Sequence, residues 1–280
     1  MRFSRLLTGA AALAGALSLA ACGGGTTPAP TAAASSSSAS ASPTPEPPKD
    51  TRPIDERCLR QTGFAPTSWR TPAGSTVSGA TLGSGERTLV LLHSTGASGL
   101  CEGWPIGKVA AARGMTVVAV DACAWGGSSC LPADAADPRV AVRTVVDQLR
   151  ARGAKPITVM GSSMGGTVAL ASATLDGVDA VVDVSGPGGW AGVPDAATSA
   201  QAAAERKVPT LLVVADKDEG SIVAGVTSAE KAAPSATAIH AAGDDHGFAL
   251  LVTSETVASP AASPTGAQVL DWIAAVKPRA

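Results

Sequence analysis

Five short runs of mostly branched apolar residues recur along the chain, at Thr88 to Leu92, Thr116 to Val120, Ile157 to Met160, Ala180 to Val184 and Thr210 to Val214. Each is apolar at almost every position rather than at alternate ones, as in a strand buried on both faces. The stretches Trp104 to Arg113, Arg139 to Arg152, Met164 to Leu175, Ser221 to Ala233 and Gly266 to Val276 carry apolar residues at helical spacing, several ending near Gly or Pro. This alternation predicts an α/β fold, with a mostly parallel central sheet flanked by helices on both faces. A strand-like stretch near Ser75 to Leu82 precedes the series, and an edge strand near Ala236 to His240 completes it. Only 24 residues, Ser185 to Val208, separate two of the runs, which leaves room for a minimal lid.

The chain divides into three parts. Met1 to Ala21 has the form of an export signal, with Arg2 and Arg5 ahead of an apolar run from Leu6 to Leu19 that is too short to span a bilayer. Leu19-Ala20-Ala21-Cys22 resembles the bacterial lipobox, which implies cleavage before Cys22, lipidation of its thiol and an extracytoplasmic protein anchored to the cell membrane. Residues 22–54 are rich in Gly, Ser, Ala, Thr and Pro, with little to bury, and are expected to be a disordered tether. Residues 55–280 are long enough for one domain with a sizeable core.

The net charge of −2, with acids and bases interspersed, offers no basic patch for nucleic acid. With Cys22 set aside, Cys58, Cys101, Cys123 and Cys130 can form two disulfides in three ways. Cys123 and Cys130 bracket a short loop, which favours pairing them and leaves Cys58 to join Cys101. No Cys-x-x-Cys and no paired histidines favour a zinc site instead.

Residues 161 to 166 read Gly-Ser-Ser-Met-Gly-Gly directly after one apolar run, so a G-x-S-x-G motif stands where a strand turns into a helix. In a chain with 31 glycines the bare motif can be an ordinary turn. Its placement makes Ser163 a candidate nucleophile, since a serine at such a corner projects its hydroxyl outward. A serine needs a base, and the chain has three histidines. His240 ends a strand and His93 closes an earlier one, whereas His246 lies in a loop between the last strand and the last helix and is the candidate base. A carboxylate that fixes the tautomer of the base is expected after a strand. Asp216, Asp218 and Glu219 all follow the run ending at Val214 and precede His246. The same acids read as an incomplete Ca²⁺ loop or a solvated turn, and Asp244 and Asp245 as surface charges.

Taken together, Leu92-His93-Ser94-Thr95-Gly96, Asp121 to Ser128, the elbow at Ser163, Asp218 and His246 resemble the α/β-hydrolase superfamily over essentially the whole domain. The resemblance implies a Ser163, Asp218, His246 triad, with Asp218 preferred to Asp216 by register. It implies an oxyanion hole from the amides of Thr95 and Met164, with Ser94 where the family usually has glycine. It also implies that Asp121 to Ser128 is a structural loop in which Ala124 replaces a family glycine. The expected function is a lipid-anchored serine hydrolase that cleaves carboxylic esters through an acyl-enzyme. An acyltransferase, or a ligand-binding lipoprotein on the same fold, is the alternative. No cofactor is implied. The expected partners are a small-molecule acyl ester and the membrane, with no nucleic acid, and the protein is expected to be a monomer.

Overall fold

The computed structural model describes residues 44–58, 63–190, 199–253 and 259–279. The export signal, Cys22, most of the tether and residues 191–198 of the expected lid lie outside the described residues. Eight strands, β1 (Ala65–Arg70), β2 (Thr76–Leu82), β3 (Arg87–Leu92), β4 (Met115–Val120), β5 (Ile157–Ser162), β6 (Ala180–Val184), β7 (Thr210–Ala215) and β8 (Thr237–Ala241), form one sheet in the order β1-β2-β4-β3-β5-β6-β7-β8. The β1–β2 and β2–β4 pairs are antiparallel and every other pair is parallel.

The helices are α1 (Ile54–Arg57), α2 (Trp104–Ala112), α3 (Pro132–Ala135), α4 (Arg139–Ala151), α5 (Met164–Ala171), α6 (Ser199–Glu205), α7 (Gly220–Ala232) and α8 (Pro264–Ala275). The two-residue period of the strands sorts their side chains between two cores. Val90, Leu92, Val118 and Val120 face a cluster closed by α4, α5, α6 and α7. Their neighbours Leu89, Leu91, Val117 and Ala119 face one closed by α2 and α8. Both faces are thus covered by helices, which is why these runs are apolar throughout.

Where the structure departs from the pattern, local chemistry explains it. The helix expected over Met164 to Leu175 is α-helical only to Ala171 and tightens to a 3₁₀ turn at Ser172–Thr174, where the Ser172 hydroxyl bonds back to the Val168 carbonyl at 2.8 Å. The last helix begins at Pro264, ahead of the expected Gly266, because Ser263 caps it by accepting the Gly266 N–H at 2.9 Å. The first strand, β1, was not expected. Trp69 is its one buried residue, so it carries little apolar pattern.

The tether expected to run to residue 54 is corrected at its C-terminal end. The Glu46 N–H donates to the Cys130 carbonyl at 2.6 Å, the Ser129 hydroxyl to the Glu46 carbonyl at 2.8 Å, and the Asp50 N–H to the Gly126 carbonyl at 2.9 Å. Arg57 donates to both oxygens of Asp121 at 2.9 and 2.8 Å, with the two side chains 5% and 0% exposed. Disulfides join Cys58 to Cys101 and Cys123 to Cys130. The segment from Glu46 to Cys58 is therefore held to the folded domain by tertiary contacts that composition does not report.

The strand order reverses at β3, which lies between β4 and β5 although it precedes both. The crevice of an open α/β sheet lies outside the carboxyl ends of the strands at such a point. The loops after β3 and β5 both open there.

Candidate active site

The turn from β5 into α5 is tight. A Cβ on Gly161 would collide with the Gly165 carbonyl, and one on Gly165 with the Leu92 carbonyl at the end of β3. Glycine at both positions lets the start of α5 rest on β3, and it forces Ser163 to φ 51°, ψ −117°, a conformation costly for a residue with a Cβ. The neighbouring backbone holds it there, since the Ser163 N–H donates to the Val184 carbonyl at 2.9 Å and its carbonyl accepts from the Gly166 N–H at 2.8 Å. The corner thus presents a strained, half-buried serine at the switch point of the sheet.

Asp218 and His246 come together from the turn after β7 and the loop after β8. His246 Nδ1 lies 2.9 and 3.1 Å from the two carboxylate oxygens of Asp218, whose side chain is 3% exposed. Asp218 Oδ1 also accepts the Glu219 N–H at 2.7 Å. Asp216, by contrast, is exposed and away from any histidine contact, its N–H engaged with the Ala241 carbonyl at 2.8 Å. The imidazole of His246 is 41% exposed. His240 sits on β8, paired at 3.1 Å with Glu230 on the surface. His93 is enclosed, with Nδ1 bonded to the Ser94 carbonyl and Nε2 accepting the Ala122 N–H at 3.0 Å, and burial holds its pKa below the usual range. A neutral ring so tied shapes the loops after β3 and β4.

Thr95 is exposed on the loop after β3, and Met164 is the first residue of α5, where helix N–H groups lack intrahelical partners. The Ser94 N–H is already committed to the carboxylate of Glu102 at 2.8 Å. Thr95 therefore carries the next amide along the loop. Ala124, which stands in place of a glycine of the resembling loop, has φ 68° and so keeps the left-handed turn that glycine would favour.

Two cavities flank this centre. One of about 280 Å³ is walled by apolar side chains, among them Leu92, Trp125, Val142, Met164, Val168 and Trp190. Among the described residues on its wall, His93 is the one ionisable side chain, and its nitrogens are both taken. The other, of about 360 Å³, is more polar and includes Arg57, Ser98, Glu102 and His246. Among the described residues no cluster of three or more His, Cys, Asp and Glu side chains is arranged to hold a metal ion.

A model of the alpha/beta hydrolase family matches residues 89–274, about two thirds of the chain. The chain belongs to the alpha/beta hydrolase family. Solved structures of the same fold include an esterase of Pyrococcus furiosus (TM-score 0.56, 15% identity, 73% of this chain and 91% of that one). They also include the thioesterase domain from the curacin biosynthetic pathway (TM-score 0.55, 14% identity, 65% and 94%). A third is a predicted hydrolase of Thermoplasma acidophilum (TM-score 0.53, 20% identity, 66% and 89%). No curated protein matches the chain in sequence.

Two groups in this hydrolase escaped the sequence analysis. Glu102 lies in a 3₁₀ turn, Gly99–Gly103, with no motif around it. Asp183, at the end of β6, is fully buried, with Oδ1 accepting the Gly186 N–H at 2.8 Å and Oδ2 without a partner. Burial raises its pKa from 3.8 to about 7, partly offset by the Gly186 hydrogen bond. The folded state thus keeps a proton that the unfolded chain loses near pH 4, so this group's contribution to stability is full below that pH and is lost as pH rises toward 7. The full span is about 4 kcal/mol, from ~1.4 kcal/mol per pKa unit. Thermal melts of Asp183→Asn and the wild type should diverge progressively between pH 4 and pH 7 in favour of the variant, and parallel curves would refute the assignment.

Proposed function

We propose that the protein is a serine hydrolase of carboxylic esters, with Ser163 as nucleophile, His246 as base and Asp218 as the acid that orients it. The observation that carries this reading is the Asp218 to His246 Nδ1 hydrogen bond, on loops adjacent to a serine strained at φ 51°. The bond leaves Nε2 as the nitrogen that takes the Ser163 proton when the hydroxyl attacks an acyl carbonyl. The amides of Thr95 and Met164 stabilise the tetrahedral oxyanion. The protonated His246 then donates to the departing alcohol, and an acyl-enzyme remains on Ser163. Water attacks the acyl carbonyl, gives its proton to His246 and releases the acid as Ser163 recovers its own. Exposure of the imidazole supports water as the acceptor.

The leaving group must reach His246, so it occupies the polar cavity, and the acyl group takes the apolar one beside Met164. About 280 Å³ holds roughly nine water-sized groups at ~30 Å³ each. The substrate class is therefore esters of compact apolar acids with polar alcohols. In p-nitrophenyl ester assays of the full-length protein, kcat/KM should peak at acyl chains of about four to eight carbons and fall about tenfold or more by sixteen. Ala141→Leu, which fills the same cavity, should move the optimum to shorter chains. A flat chain-length profile unaltered by that substitution would reject the acyl assignment.

The export signal and the Cys22 lipobox support an enzyme held outside the cytoplasmic membrane by lipid, with the segment ahead of Glu46 as spacer. Metabolic labelling with a fatty-acid analogue, lost on Cys22→Ala, tests that placement.

A further inference from the structure

The carboxylate of Glu102 meets two segments directly, and through Ser162 a third, that the proposed chemistry requires to be in register. Oε2 accepts the N–H of Ser94 at 2.8 Å and its hydroxyl at 2.6 Å, on the loop that carries Thr95. Oε1 accepts the hydroxyl of Ser162 at 2.6 Å, the residue directly before the nucleophile. Ser162 Oγ accepts in turn the N–H of Phe248 at 3.3 Å, two residues beyond His246. Gly247 is packed so closely there that a Cβ would collide with Ser162 Oγ, and its N–H is held at 3.0 Å by the hydroxyl of Ser185.

We propose that Glu102 is a positioning residue which fixes the oxyanion loop and the nucleophile elbow through its carboxylate, and the base loop through the Ser162 hydroxyl it holds. This rests on the esterase reading above. A carboxylate suits the role because it only accepts, so all three donors can converge on it without competition, and charge-assisted bonds are about twice as strong as neutral ones. A glutamine in its place presents an NH₂ to one of these donors and breaks one arm of the junction. Taking the Ser94 N–H also has a chemical consequence, since that amide is withdrawn from the oxyanion and the task passes to Thr95. The turn that bears Glu102 is itself tied to the N-terminal segment, because its neighbour Cys101 is bonded to Cys58.

Misplacement of reacting groups by about 1 Å costs roughly a hundredfold in rate while substrate contacts survive. Steady-state hydrolysis of a short p-nitrophenyl ester by the full-length protein should show kcat lowered about 30- to 100-fold in Glu102→Gln, with KM within about threefold of wild type. Ser162→Ala removes one hydroxyl, and with it the bonds to Glu102 and to the Phe248 N–H, while leaving the carboxylate in place, so it tests the junction if the Glu102 variant folds poorly. It should lower kcat by a smaller factor in the same direction. Because the two act through one junction, the double variant should lose no more than about the larger single loss, rather than the product of the two. A Glu102→Gln protein with wild-type melting behaviour and unchanged kcat overturns the proposal, as does multiplicative loss in the double variant. Failure of the wild type to turn over esters or react with a fluorophosphonate overturns the esterase reading and this one with it, whereas an active wild type with an unaffected variant overturns this one alone.

Discussion

Ser163→Ala should lower kcat on p-nitrophenyl esters by about 10⁵- to 10⁶-fold and abolish labelling by a fluorophosphonate, while leaving the protein folded. The size follows from what alanine removes. Without Oγ there is no acyl-enzyme, and only water polarised near the oxyanion amides remains, which sustains a residual rate of about 10³ to 10⁴ over the uncatalysed one. The fold has reason to tolerate the change, and even to gain from it only slightly. Alanine at φ 51° is strained much as serine is, and the Ser163 backbone bonds to Val184 and Gly166 do not involve the side chain. Intact disulfides and an unchanged thermal midpoint would separate lost chemistry from lost structure. Equal turnover in the variant would remove Ser163 from the reaction and place the nucleophile elsewhere, whereas a folded wild type that neither turns over esters nor labels would return the pocket to a binding role.

What could be read before the structure was whatever depends on short-range pattern. Strands buried on both faces announce themselves by continuous branched apolar residues, so β3 to β7 lie within a residue or two of their expected limits. The G-x-S-x-G corner was legible for the same reason, because its steric demand is met by residues adjacent in sequence. β1 was not, since its partner β2 supplies the pairing and only Trp69 is buried. Nor was the order of Glu46 to Arg57, which depends on Cys130, Gly126 and Asp121 far along the chain. Glu102 is the most instructive case. Its partners stand 8 residues before it and 60 after it, so no local spacing marks it. The available signal was indirect, two serines next to a candidate oxyanion loop and a candidate nucleophile, each needing an acceptor once enclosed. Asp183 was hidden differently: it is a single acid one residue before the end of an apolar run, where it reads as part of the strand end.

Asp218→Asn should lower kcat/KM by about 10³- to 10⁴-fold near neutral pH, with a fold that survives. The argument turns on a proton. As a carboxylate, Asp218 can only accept, so His246 must place its hydrogen on Nδ1 and leave Nε2 free to take the proton of Ser163. An asparagine turned to present its NH₂ to Nδ1 stabilises the opposite tautomer, with the hydrogen on Nε2, and a base so protonated cannot serve. Turned the other way it keeps the tautomer but withdraws the negative charge that stabilises the imidazolium. The Glu219 N–H, which donates to Asp218 Oδ1, favours keeping an oxygen at that position and so directs the NH₂ toward the remaining side of the group. Asp216→Asn is the matched control, because that side chain is exposed one turn position away and should leave kcat/KM within about twofold. If the loss appeared at Asp216 and not at Asp218, the acid would be misassigned and the His246 contact would be a structural one. If both variants kept full activity while Ser163→Ala did not, the base would be oriented by its loop alone, through the bonds of Gly247 and Phe248 to Ser185 and Ser162.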